Sequence, residues 1–225
     1  MNPLKEQRGF GSMKVFPVAV AGVAVLVGLV LLARVSKQRA IAHRIHCLGN
    51  LKQITLSFQI FATDHNARYP MHLSTNRGGT LEFSRAGQVF RHFQAVSNEL
   101  TTPRLLTCGS DTRKPVERDF PGQSFSTNFT ALTDANISYF VSLDATEEMP
   151  QALLSGDRNL MVNGVPIQTG LFVLTRDSEL TWSRTMHKLE GNVAVGDGHI
   201  QRIDDVRLPD EVLSSDVRTN RLLFP

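Results

Sequence analysis

From Val15 to Ala33 the chain runs 19 residues without a charge, built largely of Val, Leu, Ala and Gly. At 1.5 Å per helical residue this run covers about 30 Å, the thickness of a bilayer's hydrocarbon core. A helix buried in a protein core usually stops at about 10–14 apolar residues. Pro17 falls in the first turn, where a missing N–H costs little. The run ends in Leu32-Ala33-Arg34-Val35-Ser36-Lys37, with no small-x-small cleavage site. The pattern predicts an uncleaved or N-terminally trimmed membrane anchor.

Beyond the span, Ile41, Ile45, Leu48, Leu51, Ile54, Phe58 and Phe61 recur at steps of three and four, the stripe of an amphipathic helix. No proline interrupts it, so one helix is expected from about Lys14 to Ala62, roughly 70 Å long at its rise per residue. Thr63-Asp64-His65-Asn66-Ala67-Arg68-Tyr69-Pro70 supplies a polar stop. A shorter helix is predicted over Ala86–Leu100, with Val89, Phe90, Phe93 and Val96 on one face. Strands are predicted at Arg104–Cys108, Ile137–Leu143, Arg158–Val162, Leu171–Thr175, Asn192–Val195 and His199–Ile203. Ser74–Thr80 and Asp111–Thr127 have loop composition. Gly196-Asp197-Gly198 between the last two strands is a strong hairpin signal. Helix first and strands afterwards make the fold class α+β, with the long helix covering one face of an antiparallel sheet.

Charge changes the picture of partners. The formal net charge is +3 over 225 residues, but Arg34, Lys37, Arg39, Arg44 and Lys52 stand without an acid among residues 34–52. Residues 53–225 hold 16 basic and 20 acidic side chains, a net of −4. A nucleic-acid-binding domain carries its positive excess where it touches phosphate, so DNA and RNA are excluded as expected partners. Three basic residues precede the span and four lie in the fifteen after it, so charge alone slightly favours a domain on the cytoplasmic side. The only two cysteines, Cys47 and Cys108, fit either a disulfide outside the cytoplasm or two buried thiols.

Three stretches carry a resemblance: Cys47-Leu48-Gly49-Asn50-Leu51-Lys52-Gln53-Ile54; Leu105-Leu106-Thr107-Cys108-Gly109-Ser110-Asp111; and His187 followed by Asp197-Gly198. Asn136-Ile137-Ser138-Tyr139-Phe140, Gly156-Asp157-Arg158-Asn159 and Thr219-Asn220-Arg221-Leu222 add to it. Together they resemble the prepilin-type, pseudopilin-like proteins of type II secretion that carry a C-terminal His-x9-Asp-Gly domain. The resemblance implies a pilin-like fold, a single pass through the inner membrane and a periplasmic α+β domain. It implies similar subunits or a secretion machine as partners besides the lipid bilayer, and no enzymatic activity. The expected organisation is a basic leader-like tail at 1–14, a transmembrane segment at 15–33, an amphipathic continuation at 34–62, and the domain at 63–225.

Arg8-Gly9-Phe10 looks like a prepilin junction, with Gly9 and Phe10 flanking the cleavage point. The fifth residue from Phe10, however, is Lys14 where the family has Glu, and Gly11-Ser12 precede the apolar run. In pilin assembly that Glu is thought to neutralise a neighbouring subunit's terminal amine in lipid; lysine adds repulsion there. An envelope-anchored binding module that never polymerises is the alternative function.

The site candidates read mainly as structure. Asp197-Gly198 is expected to form the turn, with Gly at positive φ, while His187 bonds nearby backbone. A hydrolase built on His187 and Asp197, with His199 beside them, lacks a nucleophile with a paired base. His43 and His46, with Cys47, His65 and His72, suggest zinc, yet Cys47 points about 100° from His46 on a helix, so solvated histidines are expected. No cofactor is expected, although Asp204, Asp205, Asp210 and Asp216 offer oxygen ligands for calcium without the spacing of a tight loop. A Cys47–Cys108 bridge would clip the sheet to the helix and, closing about 60 residues, stabilise the fold by about 4 kcal/mol.

Overall fold

A computed structural model describes residues 15–113, 129–175, 178–204 and 219–225. Gly9, Phe10, Lys14 and the aspartates 205, 210 and 216 lie outside these residues. Helix α1 (Val15–Asp64) is 50 residues long. The chain divides into two units, Met1–Ala42 and His43–Pro225.

In the first unit the apolar side chains stay in the open: Val23, Leu26, Leu29 and Leu32 are all more than half exposed. The helix is long and apolar enough to cross a membrane. Ile41 and Ile45, which the stripe assigned to the core, are also exposed. The buried face starts only at Cys47 and runs through Leu51, Ile54, Phe58 and Phe61.

The second unit is built on a six-stranded antiparallel sheet in the order β5-β9-β1-β2-β7-β8. Its strands are β1 (Tyr139–Ser142), β2 (Leu153–Asp157), β5 (Gly170–Thr175), β7 (Glu190–Val195), β8 (Ile200–Asp204) and β9 (Thr219–Phe224). A second sheet joins β4 (Val165–Pro166), β3 (Leu160–Val162) and β6 (Leu180–Trp182). Side chains alternate across the large sheet, as the two-residue period of a strand requires. Tyr139, Val141, Leu154, Ala194 and Leu223 join the core under α1. Phe140, Leu153, Val193, Leu222 and Phe224 pack with Trp182 and Leu160 on the opposite side. Both faces of the sheet are therefore covered.

That double coverage hides β2 from sequence reading. Leu153-Leu154-Ser155-Gly156-Asp157 is buried throughout and shows no apolar-polar alternation. Of the segment Arg158–Val162, only Leu160–Val162 pairs as strand. Arg104–Cys108 is not a strand. Pro103 opens a 3-10 turn, Pro103–Leu106, and the Thr102 hydroxyl accepts the Arg104 amide at 3.4 Å. The helix expected over Ala86–Leu100 is two: α3 (Val89–Ala95) and α4 (Ser97–Leu100), broken at Val96, which leaves the helical region at φ −104° and ψ 25°. Gly87 at φ +71° delays its start, and the Asp134 carboxylate accepts the Phe90 amide at 2.8 Å. A short helix, α2 (Leu81–Arg85), precedes them. Val89, Phe93 and Val96 are buried as expected.

Two glycines should respond to alanine with opposite sign. A Cβ on Gly191 would fall 2.3 Å from the Trp182 ring, so Gly191→Ala should cost about 1–3 kcal/mol through overpacking. A Cβ on Gly49, exposed on α1, meets nothing within 4 Å, so Gly49→Ala should add about 0.5–1 kcal/mol through helix propensity. Urea unfolding midpoints check both; midpoints moving the same way would contradict this packing.

Candidate functional site

The residues of the quoted stretches gather where α1 meets the sheet. Cys47, on the buried face of α1, is disulfide-bonded to Cys108, just beyond the 3-10 turn, with 5.2 Å between their Cα atoms. One helical turn on, Asn50 donates to the Thr107 carbonyl at 3.0 Å. The Tyr139 hydroxyl reaches the Cys47 carbonyl at 3.4 Å. The bridge thus clips the helix to the segment after the 3-10 turn and not, as expected, to a strand; that turn reaches the sheet through the Leu106 carbonyl, which accepts the Ser138 amide at 2.8 Å.

From Cys108 the chain turns, and the Asp111 amide donates to the Cys108 carbonyl at 2.9 Å. The Asp111 carboxylate is buried and accepts from Ser138 Oγ at 2.9 Å, Arg158 Nε at 2.7 Å and the Arg113 amide at 2.9 Å. Arg158 Nη2 completes a two-pronged pair with it. Burial pushes this carboxyl's pKa up, but the Arg158 hydrogen bonds and the Arg113 amide outweigh it and hold the group below its ordinary value. Arg113 also donates to the carbonyls of Ile137 and Pro225, which ties the C-terminus to β1.

Next to this hub lies a second acid. Asp157 Oδ2 accepts from the Asn192 amide at 2.8 Å and from Asn192 Nδ2 at 2.7 Å. It lies 3.4 Å from His187 Nε2, which is itself 3.3 Å from Cys108 Sγ. Asn159 Nδ2 donates to the carbonyls of Ser183 and Glu190, both at 3.1 Å, and so fixes the loop that carries His187. His187, Lys188 and Leu189 all adopt positive φ, at 44°, 56° and 68°. Three consecutive left-handed residues that are not glycine are costly, and the surrounding contacts hold them. One contact comes from α1, where Arg44 Nη2 donates to the His187 carbonyl at 2.8 Å while Nη1 pairs with Glu190 at 2.7 Å.

At the other end of β7 the Asp-Gly turn forms as expected. Gly198 sits at φ +85°, and Asp197 Oδ1 accepts the His199 amide at 2.7 Å. This turn too is held by α1: Lys52 Nζ donates to the Gly198 carbonyl at 2.7 Å, and Gln59 Nε2 to the Gly196 carbonyl at 3.3 Å. The spacing of the His-x9-Asp-Gly motif thus has a physical meaning. Its two ends grip the same helix, near Arg44 and near Lys52 to Gln59, with β7 between them. The same geometry keeps His187 from Asp197, since six residues of strand separate them by about 20 Å. His199 is exposed at the turn.

The helix histidines form no common site. His43 and His46 are exposed, and Cys47 is committed to its disulfide. His65 stacks on Phe61 and bonds its carbonyl at 2.7 Å, whereas His72 bonds the Leu143 carbonyl at 3.0 Å. Asp204, in β8, is partly buried. Sequence reasoning placed no weight on Asp111, Asp157, Arg158, Asn159 or Arg44, although four of them lie in the quoted stretches and supplied that signal. Comparison with known proteins finds no family model, curated protein or solved structure that matches the chain.

Burial governs the charge of the Asp157–His187 pair. It raises Asp157 to about 7, which the Asn192 hydrogen bonds only moderate, and lowers His187 to about 4, aided by Arg44. Between about pH 4 and 6.5 the folded pair holds one proton, on Asp157, and the unfolded pair also holds one, on His187. Folding relocates this proton without net uptake, so the pair adds almost no pH slope to stability. Asp157→Asn leaves His187 with a lowered pKa, whose stabilisation is present above about 6.5 and lost as pH falls towards 4. Relative to the parent, the variant should lose up to about 1.4 kcal/mol per pH unit across that window. His187→Asn, which tolerates the left-handed backbone, leaves the raised Asp157 and reverses the slope: stability is lost as pH rises from about 4 to 7. Denaturant unfolding at several pH values should give two relative curves of opposite slope; parallel curves would contradict the shared proton.

Proposed function

We propose that this chain is a membrane-anchored, pseudopilin-like structural protein of a type II secretion or type IV pilus-like system. On this reading it crosses the inner membrane once and presents its α+β domain to the periplasm. The observation that carries the reading is α1. Between Val20 and Leu32 it displays exposed apolar side chains without a charge, and further on it buries Cys47, Leu51, Ile54, Phe58 and Phe61 in the core under an antiparallel sheet. The Cys47–Cys108 disulfide supports an oxidising compartment for the domain. Asp111, Arg158, Asn159 and Arg44 support a structural role, because each holds backbone or another side chain by hydrogen bonds. The partners on this reading are lipid and the apolar helices of similar subunits, which Ala19, Gly22 and Gly28 would let approach closely.

One observation favours the second reading, a non-polymerising binding module of the envelope. Lys14 stands where filament assembly wants an acid, and an extra cation in lipid repels its neighbours. Membrane fractionation followed by cross-linking separates the two. A pseudopilin should sediment with membranes, resist carbonate extraction and yield a ladder of cross-linked oligomers, and N-terminal sequencing should show Phe10 at the start. Monomer alone, beginning at Met1, would support the binding module. Recovery in the soluble fraction without detergent would overturn both.

A further inference from the structure

Around the disulfide, the fold assembles more ligating atoms than a covalent clip requires. Cys47 Sγ, Cys108 Sγ and one imidazole nitrogen of His187 lie within 4.8 Å of one another, and all three residues are buried. Asp157 Oδ2 lies 3.4 Å from His187 Nε2 but outside that 4.8 Å group, so it completes the set only as the two sulfurs part on opening the disulfide. The edges of a tetrahedron of sulfur, nitrogen and oxygen ligands around zinc measure about 3.3–3.8 Å. The Cys108 Sγ to His187 Nε2 distance of 3.3 Å and the His187 to Asp157 distance fall at that scale. A second, independent observation points the same way. Asp157 is fully buried, yet its Oδ1 has no hydrogen-bond partner among the described residues.

We infer that, with the disulfide open, Cys47, Cys108, His187 and Asp157 form a tetrahedral site for a thiophilic divalent cation such as zinc. The cluster then has two closed states, a disulfide under oxidising conditions and a metal dithiolate before oxidation or after reduction by a dithiol. In the reduction, two electrons and two protons pass from the dithiol to the disulfide, leaving two protein thiols and an oxidised reductant. Metal binding replaces the two thiol protons and, below about pH 7, the proton that Asp157 holds, and all of them are released to solvent. The bound state carries two positive charges on the metal against two thiolates and one carboxylate. Arg44 stands beside His187 with its Nε buried and without a hydrogen-bond partner among the described residues, and supplies the third positive charge, which balances the three negative ligands. The four ligands come from α1, the turn after Leu106, β2 and the loop before β7. The site therefore depends on the folded helix-sheet junction and not on a local Cys-x-x-Cys segment.

The test titrates cobalt into the full-length chain in detergent, reduced anaerobically with a phosphine, with the oxidised chain as reference. The expected result is saturation at one cobalt per chain, thiolate-to-cobalt charge-transfer absorption, tetrahedral d–d bands, release of two protons per metal well above pH 7 and of a third, from Asp157, below it, and displacement by zinc. His187→Asn and Asp157→Asn should each weaken binding by at least about tenfold, and the oxidised chain should show no charge-transfer band. Absence of that band at stoichiometric cobalt, or affinities unchanged in both variants, would overturn the inference. If reduction unfolds the chain, one equivalent of zinc should restore the fluorescence of buried Trp182; no recovery with zinc would overturn it equally. None of these readouts depends on whether the chain joins a secretion machine.

Discussion

The structure depends on holding the second half of one helix against the middle of an antiparallel sheet. A helix of this length gains little from its own hydrogen bonds, and most of its stability comes from the apolar face it buries. Leu51, Ile54 and Phe58 are completely buried, so this contact is the largest favourable element that α1 makes. Apolar contact is not directional, however, and a smooth stripe on a sheet can slide or roll. The polar groups fix the register. The disulfide pins Cys47, Asn50 holds the strand-side turn, and Arg44, Lys52 and Gln59 each donate to one carbonyl of the segment around β7.

Buried polar groups are expensive unless satisfied, and the Asp111 hub illustrates how the cost is met. Its carboxylate takes donors from three separate pieces of chain, so removing any one partner leaves the others holding a buried charge. Asp157 is handled differently. It has two donors from Asn192 and a neutral imidazole beside it, and burial discharges it in place of a cation. Two acids placed close together in one chain therefore take opposite charge states for reasons visible in their partners.

Much of this was legible in the sequence, and the failures have specific causes. The long helix, the Asp-Gly hairpin and the α+β class follow from periodicity and turn chemistry, whereas two cysteines alone left a bridge and a pair of buried thiols both open. Strand β2 was hidden because a sheet covered on both faces erases alternation. Ile41 and Ile45 fit the stripe by spacing, but spacing cannot tell where a helix leaves a domain. Pro103 and Thr102 turned an apparent strand into a 3-10 turn. Of the site, His187 and Asp197 were found as letters with nine residues between them, whereas the partners that give them meaning are distant in the chain. No period in the sequence brings Arg44 to His187 or Asp111 to Arg158.

Hydrogen exchange on the full-length chain in detergent tests the central claim most directly. If the clamped helix and the sheet form one cooperative unit, amides of Leu51–Phe61 on α1 and those of β1, β2 and β7 exchange only through global unfolding, with matching protection that reduction lowers together. A helix whose amides exchange orders of magnitude faster than those of β1 and β2 would show that it detaches on its own, and would contradict the account.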